Sequence, residues 1–158
     1  MQIGFAPQQE IQSQPPELPL AFKDRIKSMG ASPSEAVLSM QKSLENDDVN
    51  SSYNRLQINL PINQLNDPPF VLNEEEREGL NSERKVRVLM LDPSCINTAP
   101  YYVYLGKVYY NYYLGLNWFE VVQRNDLREG MVVQLWSFRV GSDPCFALVL
   151  EDKQNYGR

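Results

Sequence analysis

Seven short segments, each rich in β-branched or aromatic residues, restrict the chain to a fold built mainly from β-strands. The second segment, "RLQINL", alternates strictly between polar and apolar residues from Arg55 to Leu60. A period of two residues places one set of side chains in a core and the other set in water. The other six segments lie at 36–44, 85–91, 101–105, 108–114, 131–138 and 145–151. We therefore predict seven strands in one barrel-like sheet.

Two of these segments, 131–138 and 145–151, are apolar on both faces, which is typical of strands that are covered on both sides. Two helical patterns interrupt the strands. In "NEEEREGL", Asn73 is the expected N-cap and Glu76 occupies the capping-box position. In "NWFEVVQRNDL", Asn117 is the expected N-cap. We expect both helices to close the open faces of the barrel.

The N-terminal part of the chain has a different composition. Residues 1–19 are rich in proline and glutamine, which favours a flexible tail. Residues 20–30 form a ragged apolar stripe of Leu20, Phe22, Ile26 and Met29 that ends at Gly30. We predict a short amphipathic helix here, packed on a domain that spans 34–152. Residues 153–158 would form a short C-terminal tail.

Composition excludes several classes of function. The chain has no histidine. Ser-His-Asp and Cys-His catalysis and the common zinc sites all use histidine. We therefore expect neither an enzyme nor a cofactor. A net charge of -5 argues against a protein that coats nucleic acid or membranes by bulk attraction. Cys95 and Cys145 are expected to be buried thiols, and Trp118 and Trp136 to be core residues. With no leader or membrane segment in the sequence, we expect an intracellular protein.

Three stretches together resemble the plant-specific B3 DNA-binding domain: "QKSLENDDVNSSYNRLQINLP", "NWFEVVQRNDLREGMVVQLWSF" and "CFALV". The likeness is strongest to the B3-like subgroup formerly described as a domain of unknown function, in which "PPELP" and an amphipathic helix precede the domain. It covers about 15–151. The resemblance implies a seven-stranded open pseudobarrel with two helices. It also implies a nuclear regulator of transcription in which two loops, the N-arm and the C-arm, grip the major groove of double-stranded DNA. Other transcription regulators are expected as further partners.

The resemblance assigns the N-arm to residues 42–55. Its implied DNA contacts are a basic residue before the loop, polar residues within it and the exit motif: Lys42, Asn46, Asn50, Ser51, Ser52, Asn54 and Arg55. Amide and hydroxyl groups can bond to phosphates and base edges, and the two cations can reach phosphate or guanine. The alternative for Arg55 is an exposed salt bridge with Asp47 or Asp48.

The C-arm departs from the family pattern, because the usual basic, tryptophan-containing run is replaced by "YYVYLGKVYYNYYLGLNW". The best candidates for contacts here are Lys107, Tyr109 and Asn111. Tyr110 and Tyr112 share a parity that favours the core. Because this arm has one cation, we expect weak DNA binding. The alternative is a degenerate B3 fold that binds another protein through its tyrosine-rich surface.

Overall fold

The computed structural model describes residues 15–95 and 98–151. One curled sheet contains seven strands in the spatial order β1-β6-β7-β3-β4-β5-β2. The strands are β1 Val37–Ser43, β2 Arg55–Ile58, β3 Val86–Leu91, β4 Tyr101–Val108, β5 Asn111–Gly115, β6 Val132–Val140 and β7 Asp143–Glu151. The β3–β7 pair is parallel and the other pairs are antiparallel. The predicted mainly β, seven-stranded, barrel-like fold is confirmed.

Three α-helices accompany the sheet in the described part of the chain: α1 Leu20–Ser28, α2 Glu74–Asn81 and α3 Trp118–Arg124. The capping box predicted for α2 is present. Asn73 Oδ1 accepts a hydrogen bond from the Glu76 amide at 2.8 Å, and Glu76 Oε1 accepts one from the Asn73 amide at 2.9 Å. The Glu76 carboxylate also accepts two hydrogen bonds from the Arg139 guanidinium, at 2.9 and 3.1 Å. This pair fixes the start of α2 to β6.

The inner face of the sheet encloses the main core. The alternation predicted for β2 is confirmed, because Leu56 and Ile58 are buried and Arg55 and Gln57 are exposed. Trp118 of α3 is fully buried in the same cluster, as the sequence predicted. A polar loop connects the two edge strands, β1 and β2. The core therefore holds the two ends of that loop in place.

A second core lies on the outer face of β6, β7 and the end of β3, beneath α1. Phe22 and Ile26 of α1 pack there against Trp136 and Phe138. This confirms the expectation that the last two strands are covered on both faces. Leu18, which falls in the segment predicted to be a flexible tail, is buried in this cluster as well. Ordered packing thus begins before residue 20; residues 1–14 and 152–158 lie outside the described part.

The two cysteines are free and buried, as predicted. Burial raises the pKa of Cys145 to about 11, and burial also raises the pKa of Cys95 above its usual range. Thiols in this state are poor nucleophiles. Among the described residues no cluster of metal-ligating side chains is present. No helix in the described ranges is both long enough and apolar enough to cross a membrane.

Candidate nucleic-acid interface

The loop that the sequence analysis assigned to the N-arm connects the two edge strands of the sheet, β1 and β2. It leaves the core at the buried Leu44, whose amide donates to the Met131 carbonyl and whose carbonyl accepts from the Gly130 amide, both at 2.8 Å. Asn46–Val49 then forms one 3-10 turn. The loop returns to the sheet at Arg55. Its base is therefore tied to the chain that enters β6.

Asp48 organises the interior of this loop. Its carboxylate is 3% exposed. It accepts hydrogen bonds from the Glu45 amide at 2.8 Å and the Gln57 amide at 3.3 Å, and it forms an ion pair with Lys42 Nζ at 2.9 Å. The Asp48 carbonyl accepts from the Trp118 indole N–H at 2.7 Å. One residue thus joins the loop to both edge strands and to α3.

Lys42, a predicted DNA contact, is drawn into this network. Its side chain is 9% exposed, and Nζ donates to the Gln57 carbonyl at 3.1 Å in addition to its pair with Asp48. The ammonium group therefore bridges β1 and β2 at the open side of the barrel. The alternative interpretation, in which Arg55 pairs with Asp47 or Asp48, is wrong. Asp48 forms its ion pair with Lys42 of the edge strand β1.

Asn54 ends the loop in the left-handed region, with φ 50°. Its side-chain amide donates to the Leu116 carbonyl at 2.6 Å, and its Oδ1 accepts from the Phe119 amide at 2.7 Å. Asn54 thereby caps α3 from a distant part of the chain. Asn117 lies at the predicted N-cap position, but its side chain makes no capping hydrogen bond and donates to the Tyr102 carbonyl at 2.9 Å instead.

The outer part of the loop remains available to a ligand. Asn46, Ser51 and Ser52 are exposed, and Tyr53 lies beside them on the surface. Asn50 is half-buried, and its Oδ1 accepts a hydrogen bond from the Ser52 amide at 2.9 Å. This local turn presents the two serine hydroxyl groups to solvent. Four of the predicted N-arm residues therefore form one polar tip.

Arg55 lies where the loop joins β2, and its side chain is exposed on the outer face. The guanidinium carbon lies 4.1 Å from the centroid of the Tyr113 ring. Stacking on a tyrosine limits the rotamers of the arginine and leaves its N–H groups free to bond a ligand. Within the described residues, Arg55 has no carboxylate partner.

The C-arm is a two-residue turn between β4 and β5, formed by Tyr109 and Tyr110. Tyr109 has φ 58° and is 79% exposed, and Tyr110 is 68% exposed. The prediction of a core position for Tyr110 is wrong, because a turn residue does not follow the alternation of the strands around it. The same prediction for Tyr112 is confirmed. Asn111, a predicted contact, is exposed at the start of β5.

Lys107, the predicted cation of the C-arm, points toward α2. Its Nζ donates to Asn81 Oδ1 at 2.9 Å and lies 5.4 Å from the centroid of the Tyr112 ring. Lys107 lies on the inward-facing parity of β4, at the end of the barrel that α2 covers. Of the C-arm candidates, Tyr109 and Asn111 thus face solvent at the tip, and Lys107 contacts the helix.

The Tyr113 ring beneath Arg55 is itself held by a glycine opposite it. Gly106 is the cross-strand partner of Tyr113. A Cβ at position 106 would lie 2.8 Å from Tyr113 Cε1, and closer still to the hydroxyl end of the ring. The ring therefore occupies the space of the missing side chain, and Tyr113 is only 7% exposed. Gly106 is thus required for the surface on which Arg55 stacks.

We expect Gly106→Ala to lower the free energy of unfolding by about 1–3 kcal/mol, because the methyl group must displace the Tyr113 ring. Chemical denaturation monitored by circular dichroism measures this loss. Gly79→Ala is a matched control, since its nearest neighbour would be Arg84 Nε at 3.9 Å and its position is helical. The control should be neutral or stabilising. Equal midpoints for wild type and Gly106→Ala would contradict the packing described.

The N-arm and C-arm lie at opposite ends of β5. Arg55 pairs with Gly115 at one end, and Asn111 begins the strand at the other. Four residue steps of an antiparallel strand span about 13 Å. The major groove of B-form DNA is about 12 Å wide. The outer face between the arms carries Gln57 and the stacked Tyr113.

A buried carboxylate elsewhere in the molecule has a structural role. Asp92 is fully buried and accepts hydrogen bonds from the Ser94 hydroxyl at 2.6 Å and from the Tyr101 hydroxyl. Burial raises the pKa of Asp92, but the hydrogen bonds from Ser94, Tyr101 and Asn125 together outweigh it and hold the pKa below its ordinary value. The Asp92 carboxylate is buried and hydrogen-bonded within the protein, so it is not a candidate for binding a ligand.

The sequence analysis missed one group of cations near this surface. Arg84, Lys85 and Arg87 are exposed at and just before the start of β3, and none forms an ion pair within the described ranges. The run "ERKVR" was a usable signal, since it places three basic residues in four positions. The sequence analysis interpreted this run only as the beginning of a strand. The roles of Asp48 and Asn54 had no comparable signal, because both depend on partners distant in sequence.

These features define a mainly β, barrel-like domain in which two solvent-exposed polar arms flank one strand pair. Residues 14–152 match the sequence profile of the family described as B3 domain-containing protein At2g31720-like. The match includes α1 and the whole sheet. The chain belongs to this family of B3 domain-containing proteins, which confirms the resemblance found from its motifs.

Individual relatives agree with this assignment. The chain is 32% identical over 128 residues to the putative B3 domain-containing protein At3g24850 of Arabidopsis thaliana, a match that covers 72% of this chain and 34% of the relative. It is 31% identical over 125 residues to B3 domain-containing protein At3g25182 of the same plant, covering 72% and 36%. The chain thus spans about a third of the length of these curated relatives.

Two solved structures resemble the fold. The LEC2–DNA complex of the Arabidopsis thaliana transcription factor has a TM-score of 0.47 and 18% identity, with coverage of 74% of this chain and 95% of that chain. The Arabidopsis FUS3–DNA complex has a TM-score of 0.44 and 16% identity, with coverage of 71% and 96%. These similarities concern the backbone alone and assign no residue of the site.

Proposed function

We propose that this protein is a binding domain for double-stranded DNA, and that it holds the major groove between its N-arm and C-arm as part of a nuclear regulator of transcription. The observation that carries the proposal is the placement of Arg55. Its guanidinium is exposed, stacked on Tyr113 and, within the described residues, without a carboxylate partner, where the N-arm joins β2, about 13 Å along the paired strand β5 from the C-arm. Membership of the B3 family supports DNA as the ligand.

The chemistry of the two arms suits a duplex. On the N-arm, the amide of Asn46 and the hydroxyl groups of Ser51 and Ser52 can bond to phosphate oxygens or base edges. Arg55 can bond a phosphate, or the O6 and N7 atoms of guanine. On the C-arm, Asn111 provides a further amide. These side chains are exposed, so binding would require little desolvation of internal contacts.

Three other predicted contacts have positioning roles in this proposal. Lys42 and Lys107 are bonded to Asp48 and Asn81, and Asn54 is bonded to α3 and to the Leu116 carbonyl. These three residues would hold the arms in the conformation that binds the duplex. Each lost phosphate contact removes about 0.9 from the slope of log affinity against log salt. Binding should therefore be weak and its salt dependence shallow.

Replacing Arg55 by glutamine should make the salt slope of duplex binding shallower by about one and weaken binding at every salt concentration. Fluorescence anisotropy with the full chain and a labelled random-sequence duplex pool measures both quantities. The control is Lys27→Gln, which removes one exposed charge from α1 and should leave the slope unchanged. Absence of duplex binding by the wild type at low salt would contradict the proposed function. So would equal slopes for the two variants.

A second candidate, protein binding, is favoured by the exposure of Val108, Tyr109 and Tyr110 at the C-arm tip. Exposed tyrosines are frequent in protein interfaces. The burial of Tyr113 removes one of the tyrosines on which this alternative depends. Tyr109→Ser combined with Tyr110→Ser separates the candidates. The double variant should weaken duplex binding if the tip contacts DNA, and a wild type that binds no duplex would favour a protein partner.

A further inference from the structure

The outer face of the sheet is divided into two halves by α1. Over β6, β7 and the end of β3, the face is covered by apolar residues of the helix, including Phe22 and Ile26. Over β2, β5, β4 and the start of β3, no element of the described chain covers it. Arg87 and Tyr102 are exposed there. The uncovered half begins at Arg55 and extends across four strands.

One row of directly paired residues crosses this uncovered half. Arg55 of β2 is the cross-strand partner of Gly115, Gly115 is the partner of Tyr104, and Tyr104 is the partner of Arg87. Neighbouring strands lie about 4.8 Å apart, so the three steps place the backbones of the two arginines about 14 Å from each other. Both side chains leave the sheet on the same face.

The two arginines are held in the same way. The Arg87 guanidinium carbon lies 4.3 Å from the centroid of the Tyr102 ring, and that of Arg55 lies 4.1 Å from the Tyr113 ring. A guanidinium that is stacked on an aromatic ring is oriented before it meets a ligand, and it keeps its fork of donors. Such groups are suited to phosphate oxygens.

The described Lys and Arg residues fall into two groups, those that form an ion pair and those that do not. Six of the described Lys and Arg residues form ion pairs: Lys23, Lys42, Arg77, Arg124, Arg128 and Arg139. Most of those without a carboxylate partner lie on β2 and at or just before the start of β3: Arg55, Arg84, Lys85 and Arg87. In a protein of net charge -5, this concentration of unpaired cations is complementary to a polyanion.

The arms determine the direction in which a duplex would extend. They lie at the two ends of β5, so a duplex held between them has its axis across the strands, along the row from Arg55 to Arg87. We propose that Arg87, with Lys85 and Arg84 beside it, continues the DNA interface beyond the two arms by binding backbone phosphates. At 3.4 Å per base pair, 14 Å corresponds to about four base pairs. This inference rests on the proposed function.

The test is the salt dependence of duplex binding by the full chain, measured by anisotropy between about 50 and 200 mM salt. Arg87→Gln should reduce the slope by about one, and the double variant with Arg55→Gln by about two, because separate phosphate contacts add. Arg87→Lys keeps the charge and should retain most of the slope. Lys27→Gln is the control for net charge. Thermal unfolding of each variant shows that the fold is intact.

The outcomes separate this inference from the function on which it rests. A reduced slope for Arg55→Gln with an unchanged slope for Arg87→Gln would overturn the extended interface and leave the proposed function in place. A wild type that binds no duplex would overturn both. Poly-L-glutamate is the second probe: if Arg87→Gln lost affinity for it and none for DNA, the row would be a site for an acidic protein, and the DNA assignment of Arg87 would be wrong.

Discussion

Replacing Asp48 by alanine should lower the free energy of unfolding by about 3–5 kcal/mol, because it leaves a buried cation without its partner. The Lys42 ammonium would keep a single acceptor, the Gln57 carbonyl. The amides of Glu45 and Gln57 would lose their acceptor at the same time. A buried donor without an acceptor has its own desolvation cost. Chemical denaturation measures the loss.

Asp47 provides the matched control for this prediction. It is the preceding residue in the same 3-10 turn, but its carboxylate is exposed and forms no ion pair within the described residues. Asp47→Ala should change the free energy of unfolding by less than about 0.5 kcal/mol. Equal effects of Asp47→Ala and Asp48→Ala would show that the buried pair does not hold the edge strands together.

A double-mutant cycle separates the ion pair from the rest of the network. Lys42→Met removes the charge and keeps an unbranched side chain of similar length. In the presence of Lys42→Met, Asp48→Ala should cost less than it does in the wild type, with a coupling of about 0.5–3 kcal/mol. The remaining cost would come from the two backbone amides. A coupling of zero would mean that the ammonium and the carboxylate act independently, contrary to the 2.9 Å contact.

The second large effect concerns α1. Ile26→Ala should lower the free energy of unfolding by about 2–5 kcal/mol, since it opens a cavity in a fully buried position against β6 and β7. Leu20→Ala is the control in the same helix, because Leu20, which the sequence pattern placed on the apolar stripe, is in fact 72% exposed. This variant should change stability by less than about 0.5 kcal/mol. Denaturant midpoints for the two variants provide the comparison.

If both variants unfolded with the midpoint of the wild type, α1 would be an appendage rather than part of the domain. The structure predicts the opposite. Arg25 of α1 donates to the Cys95 carbonyl at 3.2 Å and to the Thr98 carbonyl at 3.0 Å, so the helix is hydrogen-bonded to the connection between β3 and β4 as well as packed on the sheet. A chain shortened to 31–158 would expose Trp136 and Phe138.

The main elements of the fold could be predicted because their signals are local. The alternation of β2, the double-sided apolar pattern of β6 and β7 and the capping box of α2 each lie within a few consecutive residues. Burial of Trp118 and of the two cysteines followed from residue type. The turn at Tyr109 and Tyr110 was the local exception, since a period of two cannot show where two strands are interrupted.

The candidate site was less predictable, because its polar residues depend on distant partners. Lys42 pairs with Asp48, Asn54 caps a helix more than 60 residues away, and Lys107 bonds to Asn81. A polar residue in a loop has the same local signature whether it bonds to the protein or to a ligand.

The sequence by itself thus determined that the chain forms a seven-stranded barrel of the B3 family with an N-terminal helix, because hydrophobic periodicity and family motifs are properties of neighbouring residues. Only the tertiary structure decided which cations are paired inside the protein and which remain on the surface. In the structure Lys42 is paired with Asp48, whereas Arg55 and Arg87 lie exposed in one row on the outer face of the sheet. The reason is that an ion pair or a stacked ring depends on distances across strands, which the linear order of residues does not contain.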